Sequence, residues 1–110
     1  MITVQTSEGD VTLGDEDRFL LRAVVREIYQ ASYCFEGDAA WAGFPELFSA
    51  VRAERSSADG RVGIGPEQLV RLGKLADVMF EHLGGHEFHT RAGATLQEAQ
   101  ELMHRLTVGL

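Results

Sequence analysis

The chain has a single cysteine, Cys34, among its 110 residues, and a lone cysteine excludes any internal disulfide. With no oxidised framework, stability must come from a packed core, which a chain of this length can bury without staples. That usage fits a reducing cytoplasm. Apolar runs are short, and none approaches the roughly 20 residues needed to span a membrane. The first residues lack a basic region followed by an apolar stretch, so no signal peptide is expected. Lysine is almost missing, since nine of the ten bases are arginine. Proline occurs twice, and Pro45 and Pro66 both suit the first turn of a helix. Nucleotide-binding glycine loops and nucleophile elbows are absent.

What is abundant is negative charge. The net charge is −7, and its distribution is uneven. Residues 1 to 17 hold Glu8, Asp10, Asp15, Glu16 and Asp17 and no base, leaving the rest of the chain nearly balanced. A phosphate backbone is repelled by such a surface, so no nucleic acid is expected as partner. A basic protein partner suits the charge, as does solubility alone.

Hydrophobic periodicity yields a mainly α domain spanning 1–110, a small bundle of about four helices (15–110) with an N-terminal β-hairpin (1–14). Ile2, Val4 and Thr6 alternate with polar residues, and Val11 and Leu13 alternate after a turn at Ser7-Glu8-Gly9-Asp10. A first helix is expected from about Asp15 to Tyr33, opened by three acids that suit the helix dipole. Leu21, Val24, Val25 and Ile28 form its apolar face. Arg18, Arg22 and Arg26 form a second stripe, expected to be solvated and paired with Glu27 or neighbouring acids; an anion or partner site is the sharper reading.

A shorter helix follows, with Phe44, Leu47, Phe48 and Val51 on its apolar side and Trp41 just before it, all expected in the core. Ser56 to Gly60 reads as a loop and Arg61 to Gly65 as a short strand. The next helix runs to about Leu83 and ends at Gly84-Gly85. The last helix has the firmest start signal, the capping box Thr95-Leu96-Gln97-Glu98. Glu101 and Arg105 are spaced to pair across one turn.

One segment concentrates groups able to bind a metal or move a proton. Glu81 to His89 holds three of the four histidines and two glutamates in nine residues. His82 falls in the last turn of a helix, and His86 and His89 fall in a loop or short strand beyond it. A loop that converged His82, His86, His89 and Glu87 would suit zinc or another divalent metal. The spacing matches no metal motif: in His-Glu-Phe-His the second histidine comes one residue too early for His-Glu-x-x-His. Asp59-Gly60 resembles the centre of a calcium loop, but the first ligand position would be Arg55, which excludes it. Cys34 has no histidine near it in sequence and reads as a structural thiol.

These features lead to two expectations. The first is a small acidic cytoplasmic protein–protein interaction or regulatory module, non-enzymatic and without cofactor, with a protein partner. Its wide apolar helix faces suggest a homodimer. The alternative is a metal-binding protein or small metal-dependent enzyme using the His82/His86/His89 cluster.

Overall fold

A computed structural model describes residues 1–35, 37–56 and 60–110, and for residues 85 and 86 only the backbone. The expected loop at Ser57, Ala58 and Asp59 lies outside the described residues. The protein is mainly α, as the periodicity requires, with a small sheet at its N-terminus. Strands β1 (Ile2–Thr6) and β2 (Gly9–Thr12) form the expected hairpin, and Gly9 takes φ 113° at the turn. The sheet has a third strand, β3 (Val62–Ile64), which lies parallel to β1 on the side away from β2. Ile2 stands opposite Val62 and Val4 opposite Ile64, so four β-branched side chains share the buried face. Val11 lies on that face too, opposite Val4, but β2 is an edge strand whose residues are all exposed, Val11 included.

Five α-helices follow among the described residues, rather than about four: α1 (Asp15–Gln30), α2 (Phe44–Glu54), α3 (Pro66–Leu83), α4 (Gly85–Ala92) and α5 (Leu96–Thr107). Helix α1 ends three residues before the expected Tyr33, and a tighter 3₁₀ turn takes over at Ser32–Phe35. It touches all four other helices, which is why Leu21, Val24, Val25 and Ile28 are all buried. Pro66 opens α3, where the Gln68 side chain accepts the Gly65 N–H. Along α3, Leu69, Leu72, Leu75, Ala76, Met79 and Phe80 enter the core, whereas Val78 stays exposed.

The fifth helix replaces the loop or strand expected after Gly84-Gly85. Gly84 closes α3 and opens α4 with φ 72°, and Gly93 ends α4 in the left-handed region at φ 73°. Only two apolar side chains hold α4 down. Phe88 is buried against Phe80, with ring centroids 5.9 Å apart, and Ala92 is buried one turn later. Eight residues with two apolar positions carry too little periodicity to register as a helix.

The capping box at α5 forms as expected. Thr95 Oγ1 accepts the Glu98 N–H at 3.1 Å, and Glu98 Oε1 accepts the Thr95 N–H at 3.1 Å. The Thr95 N–H first, and then the Thr95 hydroxyl, which donates to Glu98 Oε1 at 2.9 Å, hold the Glu98 carboxyl below its usual range. Arg105 does not pair with Glu101. It crosses to Asp17 of α1 at 3.0 Å, and Glu101 accepts from Gln97 instead. Replacing Thr95 with alanine should lower stability by about 1 kcal/mol. Thr95→Ser, which keeps the hydroxyl, should melt like the parent; equal melting of all three proteins would remove the cap from this account.

Candidate functional site

The arginine stripe of α1 leads to the site. Stepping along the exposed side of α1, the residues are Phe19, Arg22, Arg26 and Tyr29. Along α2 and its C-cap they are Phe48, Arg52 and Arg55. Both are helical stripes in which aromatic rings flank guanidinium groups. Tyr29 stacks on Phe48, with centroids 4.2 Å apart and planes 7° from parallel. Arg22 reaches Glu54 at 3.3 Å. These two contacts, a ring pair at one end and an ion pair at the other, set α1 and α2 antiparallel. Aromatic residue therefore faces aromatic residue, and arginine faces arginine.

Between the helices lies a groove of about 520 Å³, with Ala23, Val25 and Val51 at its base and Ala92 of α4 on its far side. Arg22, Arg26, Arg52 and Arg55 line it, together with Phe19, Tyr29 and Phe48; no carboxylate lines it among the described residues. Phe48, expected in the core, is only half-buried because it forms this wall. Arg18, the first member of the sequence stripe, lies outside the groove and is bonded to Asp15.

The inner arginines are held from behind by two buried carboxylates. Glu54 accepts from Arg22 and from the Met1 amino group, the latter at 2.6 Å. Its side chain is 7% exposed. The amino group above all holds its carboxyl below the usual range, with Arg18 and Arg22 adding to the effect against the opposing influence of burial. Glu27 is buried more deeply and accepts from Arg91 of α4 at 2.7 Å. Arg26 lies 3.7 Å from the other Glu27 oxygen and donates to the Arg91 carbonyl. Arg52 and Arg55 differ: both are exposed, and neither has an ion pair among the described residues. The groove thus presents two braced and two unpaired cations beside aromatic faces.

The histidine segment is arranged differently. His82, in the last turn of α3, is hydrogen-bonded through Nε2 to the Tyr33 hydroxyl at 2.6 Å. Glu87 lies 3.8 Å from Arg91, one turn along α4, and His89 is exposed. The His86 side chain lies outside the described residues. Among the described residues no group of three or more His, Cys, Asp or Glu side chains is placed to hold a metal. Cys34 is free and half-buried. No helix among them is long and apolar enough to cross a membrane. Comparison with protein-family models, curated proteins and solved structures finds no match to this chain.

Arg52, Arg55 and Phe48 escaped the sequence reading as site residues. Their signal was present as a stripe at i, i+4 and i+7, but Phe48 had been placed inside.

Two measurements test this description. Glu54 has a lowered carboxyl pKa, so its contribution to stability is present above the usual glutamate range and is lost as pH falls through the folded value. Glu54→Gln should therefore flatten the fall in melting temperature below pH about 4.5; an unchanged acid limb removes Glu54 from the network. Metal analysis of protein purified without a histidine tag should find well under one equivalent of zinc, manganese or iron. A full equivalent lost on replacing His86 and His89 would restore the metal reading.

Proposed function

We propose that the protein is a non-enzymatic interaction module that works through the α1–α2 groove. One observation carries this reading: four guanidinium groups and three aromatic rings line a single groove in which, among the described residues, there is no carboxylate. Buried ion pairs account for Arg22 and Arg26, but no ion pair among the described residues accounts for Arg52 and Arg55. Like charges facing one another across a groove are unfavourable until an anion lies between them. Aromatic faces beside them add apolar contact area and stack on planar groups.

The partner at this groove is a protein segment carrying carboxylates beside apolar side chains. Net charge alone permits a basic partner, but the local sign at the groove is the opposite, and short-range contacts follow the local sign. Most side chains of the wide apolar faces that suggested a homodimer are covered within one chain, with Val78 exposed. A twofold pairing of groove on groove would also set arginine against arginine. A half-buried single cysteine suits a cytoplasmic setting.

The test is binding of a fluorescent peptide of mixed Glu and Leu, measured beside its Lys-for-Glu counterpart. The acidic peptide should bind the parent and weaken as salt rises. Arg52→Glu/Arg55→Glu should abolish that binding while changing melting temperature little, since both side chains are exposed. Equal binding of the two peptides, or undiminished binding by the double variant, would sink the proposal.

A further inference from the structure

The groove lies between two helices, and this constrains the form of what fills it. The backbone N–H and C=O groups along α1 and the body of α2 are satisfied inside the helices, leaving only the last carbonyls of α2 without an intrahelical partner, so the walls present mainly side chains. An extended segment finds no ladder of free backbone groups there, unlike at a sheet edge, whereas a helix brings its own hydrogen bonds.

The cations also stand at helical intervals. Arg22 and Arg26 are separated by a rise of about 6 Å along α1, and Arg52 and Arg55 by about 4.5 Å along α2. A helix lying in the groove repeats carboxylates at those rises when they are spaced i, i+4 and i, i+3. Apolar contacts are available at both ends, from the Tyr29–Phe48 stack and from Phe19, which is 47% exposed. The α1 wall from Phe19 to Gln30 is about 16 Å long, or three helical turns.

Resting on the acidic-partner reading above, we infer that the groove binds an amphipathic α-helix of about three turns from a partner protein, with carboxylates at i, i+3 or i+4 between apolar residues at its two ends. The chain's own acid run does not supply this helix. Asp15 is bonded to Arg18, and Asp17 to Arg105, in the first turn of α1 itself.

The experiment holds composition constant and varies helical order. Three labelled peptides of Glu, Leu and Ala, each about 16 residues long, are titrated with the whole protein by fluorescence anisotropy. In the first, Glu and Leu share one helical face; in the second they are scrambled around the helix; the third is the first with a central proline. The first should bind at least tenfold more tightly than the other two and gain helical circular dichroism on binding. It should lose that affinity in Arg52→Glu/Arg55→Glu. If all three bind alike and all depend on Arg52 and Arg55, the groove takes an acidic segment without helical order, so the inference is overturned and the broader reading stands. If none binds better than a Lys-for-Glu counterpart, both are overturned. Salt-sensitive binding of a single-stranded oligonucleotide that the double variant loses would replace the protein partner by nucleic acid and overturn both as well.

Discussion

A carboxylate withdrawn from water deep in the fold dictates the arrangement around it. Glu27 lies on α1, a helix that touches all four others, with its side chain 1% exposed. Removing an ionised carboxylate from water costs several kcal/mol unless a cation lies close with good hydrogen-bond geometry. Arg91 supplies that cation from α4, with Arg26 on the other carboxylate oxygen. The requirement therefore binds a short helix, held by only two apolar residues, to the middle of the fold. It also brings Ala92 to the groove and sets the Phe19 ring beside Gly93, 3.8 Å from where a Cβ would stand. The far wall of the groove is thus a consequence of the buried charge, and so is the restraint on Arg26.

Glu54 performs the corresponding service at the other side. It joins Arg22 of α1 to the start of β1, and so couples the sheet to the groove. The two buried carboxylates make the same physical point. Each braces an inner arginine while sharing its single charge with a second cation, the Met1 amino group or Arg91. Arg52 and Arg55 have no such backing among the described residues. A net charge of −7 hides this local reversal of sign, because screening confines each charge to its neighbourhood.

Local signals made α1, α3 and α5 legible from sequence. Their apolar residues repeat over three or more turns, and the Thr95–Glu98 cap depends only on residues three apart. Helix α4 was not legible, since Gly84-Gly85 reads as a stop and Phe88 with Ala92 is too brief a pattern. The left-handed glycine at 93 was the usable clue. Long-range choices were invisible for a different reason. Arg105 has an acid within one turn and another on α1, and packing selects the distant one. The parallel pairing of Val62 with Ile2 likewise depends on how the intervening helices fold. Half of the groove could be read in the stripe containing Arg22 and Arg26. The other half could not be assigned, because only the antiparallel register of α1 and α2 brings Arg52 and Arg55 opposite.

The parallel pairing of β1 with β3 has a kinetic meaning. Residues 2 and 62 close a loop that contains both α1 and α2. A two-stranded hairpin is marginal in water, and the entropy of closing so long a loop must be met before the third strand rewards it. Strand β1, made before its parallel partner β3, is therefore among the last elements to be secured. Until α1 and α2 have collapsed onto one another, Ile2 and Val4 remain uncovered, and β1 is open to unwanted strand pairing.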